Sequence, residues 1–290
     1  GPHLPPAGPP TDAPAGPQAG ATGDPPQETD AQQAAKARGI SPDPRLVLRR
    51  DPRSLHLGRA VRYVLSVRTN VTLIVASAFG YFFLAGVETF GLEFVKVQYG
   101  VGQILATLLM LVLGAGAVLG VVAGGRVGDH LLHRGHINGR LLVAALAASL
   151  TVCLFVPALL TRSVATALPY VVVAAFALTA QNPAIDAARL DIMPPLLWGR
   201  AEGIRTALRT GAQALAPLLF GALSDLLGGG QSGLDHTFMI MLLPMAVGAV
   251  ILFRAMRTYP QDVATAAASA AAHSSTYSSA RPRRGHRHLT

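Results

Sequence analysis

The chain contains 290 residues, of which 51% are hydrophobic and 13% are charged, and its mean hydropathy is +0.41. Soluble domains usually carry about 25% charged residues, so this composition argues against a soluble globular protein and favours an integral membrane protein. The formal net charge of +9 does not indicate nucleic-acid binding, because the basic residues flank long apolar runs instead of forming one surface.

Two segments precede the apolar part of the chain. Residues 1–44 are rich in Pro, Gly and Ala and lack periodic apolar residues, so we predict a disordered linker there. Residues 45–69 are rich in arginine, and their apolar residues recur at helical spacing. They predict a basic, juxtamembrane, amphipathic helix that lies on membrane lipid. A solvated basic linker is the alternative.

Six apolar runs follow within residues 70–257, and they predict an all-α integral membrane domain. A membrane-spanning helix needs about 20 predominantly apolar residues. The predicted spans are 70–95, 103–123, 141–161, 165–187, 202–223 and 238–256. Residues 258–290 are rich in Ala and Ser and end in a basic cluster, so we predict a second disordered tail there.

The basic residues also predict an orientation. An even number of spans places both termini on one side of the membrane, and most arginines outside the apolar runs fall on that side. Positively charged loops stay in the cytoplasm. We therefore expect a protein of the plasma (inner) membrane with both termini cytoplasmic.

Glycines recur every fourth residue in the second predicted span, at Gly116, Gly120 and Gly124. This spacing forms a strip without side chains along one helix face, and another helix can pack closely against it. The strip indicates close helix packing, and partner helices of another protein are possible occupants.

The loop after the second span contains Gly125, Asp129 and Arg134 between two apolar runs. A carboxylate at a helix end can accept hydrogen bonds from a neighbouring helix's N-terminal amides and pair with a nearby arginine. Such contacts would hold one face of a transporter closed, so we assign these residues to a gating loop. An ordinary loop that only sets topology is the alternative. Histidines recur nearby at intervals of three, but further ligands are lacking and we expect no metal site.

This hairpin resembles the G-x-x-x-D-(R/K)-x-x-R-(R/K) loop that major facilitator superfamily (MFS) transporters carry between the second and third helix of each half. His130 replaces the basic residue that usually follows the acid. The segment from Arg200 to Asp225 is similar to the eleventh helix of that family, especially in its Spinster-like and drug-efflux branches. The resemblance covers about residues 45–257 and implies an MFS-type half bundle, the C-terminal six helices, with the N-terminal half missing.

Charged side chains inside two of the predicted spans are candidates for a transport path, because charges at membrane depth are costly unless they face a wet cavity. Glu88 lies in the first span with Tyr81 on the same helical face, and it is a candidate proton or cation site. An acid at the membrane interface is the alternative. Arg209 and Gln213 share one face of the fifth span, and Arg209 could bind an anionic group of a substrate.

The fourth span ends in a polar stretch. Gln181 and Asn182 are amides at membrane depth beside a proline, a pattern that lines cavities in transporters. Hydrogen bonding between helices explains them equally well. Asp186, Arg189 and Asp191 follow, and we expect them at the cytoplasmic end, where they can form ion pairs.

Together these features predict a secondary active transporter that works by rocking helix bundles around a midplane site. The MFS resemblance implies proton-coupled export of a small or amphipathic solute. The predicted path residues are Glu88, Tyr81, Arg209, Gln213, Gln181 and Asn182. The alternative is a non-transporting membrane subunit that binds partner helices through its glycine strip.

The remaining expectations concern chemistry and partners. The sequence lacks a nucleophile–base pair and a phosphate-binding loop at membrane depth, so we expect no enzyme activity, no cofactor and no metal. The expected partners are membrane lipid, the small-molecule or amphipathic substrate, and the missing N-terminal half or a second half-transporter. We expect no nucleic-acid partner, and we expect this polypeptide alone not to catalyse transport.

Overall fold

A computed structural model describes residues 28–48 and 56–280 of the chain. Every regular element in these two ranges is helical, and the helices are numbered here in chain order. They are α1 (Asp30–Ala37), α2 (Leu57–Ser66), α3 (Arg68–Tyr99), α4 (Gln103–His133), α5 (Gly139–Leu160), α6 (Val164–Asp191), α7 (Trp198–Leu226), α8 (Gly230–Ala255) and α9 (Tyr259–Ala280).

Five helices of the described chain, α3, α4, α5, α6 and α8, are long and apolar enough to cross a membrane. Helix α7 has 29 residues, which makes it about 43 Å long, against a hydrocarbon core of about 30 Å. Its hydropathy is lowered by charged side chains in its first half, which include Arg200, Glu202, Arg205 and Arg209. Five of the six predicted spans are therefore confirmed as span-like helices, and the crossing of α7 stays a prediction.

The glycine strip of α4 packs against α6 of the same chain. A Cβ at Gly120 would lie 2.1 Å from the carbonyl oxygen of Phe176, and one at Gly124 would lie 2.0 Å from that of Ala180. Side chains do not approach backbone oxygens so closely, so only glycine lets these two backbones meet. The surface that could have received a partner helix is thus covered by α6.

An aromatic cluster joins the other helices of the bundle. The ring of Phe83 on α3 lies 5.1 Å from that of Phe155 on α5, and Phe94 on α3 lies 5.1 Å from Phe238 on α8. Phe220 of α7 contacts Phe238 at 5.3 Å. These edge-to-face pairs bury large apolar surfaces, and they join α3 to α5 and α8, and α7 to α8.

Polar contacts distinguish the two ends of the bundle. At one end, Gln98 of α3 donates to the carbonyls of Leu159 and Thr161 at the end of α5, at 3.1 and 3.3 Å, and accepts from Gln231 of α8 at 2.8 Å. The opposite end carries α1, α2, α9 and the loop between α4 and α5. We call it the α9 end.

The predicted disordered linker over residues 1–44 is wrong for its last part, which contains α1. Residues 1–27 lie outside the described residues. Thr29 and Gln32 form a reciprocal capping box that starts α1. The Gln32 side chain also donates to the carbonyl of Asp191 at 2.9 Å. Because α1 is short and buries alanines and a glutamine rather than large apolar residues, the hydrophobic pattern did not reveal it.

The predicted disordered tail over residues 258–290 is also wrong in its first part, where α9 packs on the bundle. Val263 is fully buried, and the hydroxyl of Thr265 accepts the amide of Asp43 at 2.9 Å. Alanine is the strongest helix former, so the composition that suggested low complexity also favours a helix. Residues 281–290 lie outside the described residues.

Helix α9 is fastened to the first turn of α3. The Asp262 carboxylate accepts the amide of Thr69 at 3.3 Å, and the hydroxyls of Thr69 and Thr258 lie 2.6 Å apart. Burial raises the pKa of Asp262 above its ordinary value. Because α9 follows α8 directly, these contacts tie the last helix of the bundle to its first.

Candidate functional site

An ion-pair cluster joins three helices at the α9 end. Arg140, in the first turn of α5, donates to Asp129 at 2.7 Å and to Asp191 at 2.5 Å. Asp129 lies in the last turn of α4, and Asp191 is the last residue of α6. One guanidinium therefore links the ends of α4, α5 and α6 through charge-assisted hydrogen bonds. The expected pairing of Asp129 with an arginine is present.

The cluster extends to α9 and α1 through Asp191, which is fully buried. The Tyr259 hydroxyl donates to the Asp191 carboxylate at 2.6 Å. Burial raises the pKa of Tyr259 well above its ordinary value, so the phenol stays protonated and acts as a donor. Since Gln32 binds the carbonyl of the same aspartate, α1 and α9 are both attached at this residue.

The other two residues of the predicted gating loop lie beside the cluster. A Cβ at Gly125 would contact Pro183 of α6 at 3.7 Å. Arg134 is exposed and follows the last turn of α4. Gly135 has a φ of +88°, a conformation that favours glycine, and its carbonyl accepts a hydrogen bond from Arg38. Arg140, and not Arg134, supplies the guanidinium for Asp129.

A second ion-pair cluster joins α6 to α7. Arg205 donates to Asp186 at 2.7 Å and to both carboxylate oxygens of Glu202. Arg189 donates to Glu202 at 3.4 Å. The three charged residues for which the sequence predicted ion pairs, Asp186, Arg189 and Asp191, are therefore all paired in the structure.

Arg209 lies one helical turn beyond Arg205, and the structure brings it onto Tyr81 of α3. Its guanidinium carbon lies 4.6 Å from the centre of the Tyr81 ring, a cation–π contact. The Nε atom of Arg209 is buried and makes no hydrogen bond to the described residues. A guanidinium stacked on an aromatic face keeps its edge available for a carboxylate or phosphate.

The three predicted amides lie in different surroundings. Gln181 is buried, donates to a carbonyl of its own helix at 3.1 Å, and packs on Gly80 of α3. Asn182 is also buried, and its side-chain oxygen has no hydrogen-bond partner in the described chain. Gln213 is half-buried on α7 one turn beyond Arg209. The structure thus brings Tyr81 and Arg209 together and keeps Gln181 in the packed interior.

Glu88 lines a cavity of about 410 Å³ between α3 and helices α4, α5, α6 and α8. It is the only carboxylate among the lining residues, whose other polar side chains are hydroxyls. The apolar part of the wall includes Leu84, Met110, Leu113, Phe155, Val171 and Phe238. Tyr81 lies seven residues earlier on α3, about 10 Å along the helix. The candidate site therefore has two levels, an acidic cavity and the Arg209–Tyr81 pair.

Sequence reasoning missed Arg140 and Tyr259 as members of the cluster around Asp191. In the sequence Arg140 counts only among the arginines that set topology, because it lies eleven residues after Asp129 on the next helix. Tyr259 fell in the predicted disordered tail. The sequence shows only that an aromatic residue follows the last predicted span. It does not indicate which residue the tyrosine contacts.

Comparisons with known proteins identify the fold. No family model and no curated protein matches the sequence. Among solved structures, the chain is similar to the crystal structure of a bacterial homologue of the human lysosomal transporter Spinster, in an inward-facing and unoccupied conformation. The two chains are 20% identical with a TM-score of 0.59, and the match covers 71% of this chain and 51% of that chain.

At this identity the likeness establishes the fold alone. The chain has a helical fold like that of this bacterial Spinster homologue, in agreement with the Spinster-like resemblance of its sequence. It spans about half the length of the solved structure that it matches. Together with the span-like helices, this likeness indicates that the chain is an integral membrane protein with a half-bundle fold.

Proposed function

We propose that the chain is the C-terminal half of a secondary active transporter that exports a small or amphipathic solute in exchange for protons. The observation that carries this proposal is the position of Glu88 as the single carboxylate in a largely apolar cavity of about 410 Å³. The likeness to a transporter fold supports the same reading. The plasma membrane and cytoplasmic termini, which follow from the arginine distribution, belong to the proposal.

Glu88 is suited to bind and release a proton. A carboxylate at membrane depth costs roughly 2.5–3.5 kcal/mol unless it is protonated or hydrated. Glu88 is exposed to the cavity and forms no ion pair with the described residues. A proton and a cationic group of a bound solute would compete for the Glu88 carboxylate. Solute binding and proton binding would thereby exclude each other.

Arg209 is proposed as the second recognition group. The ring of Tyr81 fixes the guanidinium, and Gln213 lies one turn farther along the same helix. An anionic group of the solute could bind the free edge of Arg209, while apolar parts of the solute reach the cavity about 10 Å away. This separation suits an amphipathic molecule better than a compact ion.

Alternating access requires a partner for the least covered helices. Large apolar side chains are exposed on α4, including Ile104 and Leu111, and on α7, including Leu218 and Leu226. An N-terminal half, or a second copy of this half, would cover part of these faces. We therefore expect liposomes that contain this chain alone, as dispersed monomers, to show no solute flux. Robust flux by the monomer would contradict the half-transporter proposal.

The alternative of a non-transporting subunit lacks its proposed surface. Its partner helices were expected on the strip formed by Gly116, Gly120 and Gly124, and that strip is in contact with α6. Substituting Glu88 or Arg209 still separates the two functions. Transport should fail in both variants if the chain is a transporter, whereas partner binding should survive.

Proton movement coupled to solute movement is the decisive test. Liposomes containing this chain with an N-terminal half are loaded with a pH-sensitive dye, and ethidium or taurocholate is added as a charged amphipathic probe. We expect proton flux driven by one of these probes, and we expect Glu88→Gln to abolish it. Glu93→Gln is the matched control, because Glu93 is an exposed glutamate on the same helix, paired with Lys96 at 3.1 Å. Proton flux that survives in Glu88→Gln would refute the role of Glu88.

A further inference from the structure

Helix α2 is held in a fixed position at the start of α3. It ends at Ser66, and a single residue with an extended backbone, Val67, separates it from α3. Ala60 and Val64 of α2 are fully buried. The Asn70 side chain of α3 donates to the carbonyl of Val64 at 2.9 Å, which satisfies an otherwise free carbonyl at the end of α2. The two helices are therefore coupled by packing and by a cap.

Exposed arginines and exposed leucines occur together on α2 and at the start of α3. Arg59 and Arg62 are exposed on α2, and Arg68 is exposed at the start of α3. None of these arginines forms an ion pair with another described residue. Leu57 is 69% exposed and Leu65 is 45% exposed beside them. These five residues are called the α2 surface.

The α2 surface adjoins the N-terminal end of α3, where a helix of 32 residues, about 48 Å long, would reach the lipid headgroups. Arg68 is the first residue of α3, and α3 is one of the span-like helices. Lipid phosphates and the upper ends of acyl chains occupy this level. Arginine binds phosphate through two parallel hydrogen bonds, and leucines flanking it can enter the acyl region. A soluble anion would engage the arginines but leave the leucines in water.

We propose that the α2 surface binds the headgroups of anionic phospholipids. Its arginines pair with the phosphates, and Leu57 and Leu65 anchor the helix in the adjoining apolar layer. This binding is independent of the transport proposed above, because it needs neither Glu88 nor the other half. The opposite end of the bundle offers less positive charge, since Lys96 is paired with Glu93 there and Arg162 stands near Asp235.

The test measures lipid bound to the full chain in a nonionic detergent by native mass spectrometry. Dioleoylphosphatidylglycerol is compared with dioleoylphosphatidylcholine. We expect the chain to prefer phosphatidylglycerol, and we expect the double variant Arg59→Gln/Arg62→Gln to bind it about 25-fold more weakly, about fivefold for each arginine. The control Lys96→Gln/Arg162→Gln removes the same charge from the other end and should bind like the unchanged chain.

Three further results bear on the proposal. Binding by the unchanged chain should weaken as salt rises, which tests the idea even if the double variant folds poorly. Leu57→Ser/Leu65→Ser should lower the affinity while keeping the preference for phosphatidylglycerol. Equal losses in the double variant and its control would overturn the proposal, because the attraction would then be diffuse. Displacement of the lipid by millimolar glycerol phosphate would also overturn it, since the ligand would then be a soluble phosphate.

Discussion

Adding one methyl group to the glycine strip of α4 should separate two helices. In Gly124→Ala the new Cβ would start 2.0 Å from the Ala180 carbonyl oxygen, so the backbone of α6 must retreat by at least 1 Å to reach 3.0 Å. Overpacking of this kind costs about 3 kcal/mol. Alanine recovers about 1 kcal/mol through its higher helix propensity. The net loss should be about 2 kcal/mol.

Gly114→Ala is the matched control on the same helix. No heavy atom outside its own helix segment lies within 4 Å of the Cβ it would gain, so only the propensity gain of about 1 kcal/mol remains. The two variants should differ by about 3 kcal/mol, or about 6–12 °C in Tm for a chain of this size. Circular dichroism and the fluorescence of Trp198, the single tryptophan, would follow thermal unfolding in detergent. Melting temperatures within about 2 °C of each other would refute the close approach of α4 and α6.

Three substitutions test the contacts at the α9 end, all by thermal unfolding. Arg140→Gln should lower the free energy of unfolding by about 3–5 kcal/mol, because it leaves the carboxylate of Asp191 buried without its cation. The control Arg134→Gln changes an exposed arginine and should lower it by less than about 0.5 kcal/mol. Equal losses of stability in the two variants would contradict the ion-pair cluster. Tyr259→Phe should cost about 1.5–3 kcal/mol, the value of a hydrogen bond to a charged group, and an unchanged Tm would exclude that bond. Burial raises the pKa of Asp262, so the folded chain keeps this proton to higher pH than the unfolded chain, and stability falls as pH rises from about 4 through the raised pKa. Asp262→Asn should therefore be more stable than the unchanged chain at pH 7, and this gain in stability should vanish near pH 4. A gain that grows as the pH falls would contradict the raised pKa of Asp262.

The bundle was predictable because lipid leaves a strong signal in sequence. Runs of about 20 apolar residues identify spans, and the strip at Gly116, Gly120 and Gly124 correctly indicated close helix packing. The sequence could not tell which helix would occupy the strip. That choice depends on the packing of α4 against α6, and periodicity within one span carries no information about its neighbour.

Helices α1 and α9, which lie outside the bundle, escaped prediction for a different reason. Helices α1 and α9 bury mainly alanines, and they are held by single polar contacts such as Tyr259 with Asp191 and Thr265 with Asp43. Hydrophobic patterning detects large apolar side chains and not hydrogen bonds between distant residues. In the candidate site, the shared face of Tyr81 and Glu88 follows from helix periodicity. The meeting of Tyr81 with Arg209 required the tertiary structure.

The attachment of both flanking helices to Asp191 has a practical consequence for anyone who shortens this protein. Truncation after the last apolar run, before Tyr259, would leave every hydrophobic helix intact and look harmless on a hydropathy plot. It would nevertheless remove the Tyr259 hydroxyl that donates to the buried Asp191 carboxylate. It would also remove the Asp262 carboxylate that accepts the amide of Thr69 in the first turn of α3. A fusion partner or affinity tag is therefore better placed after residue 280.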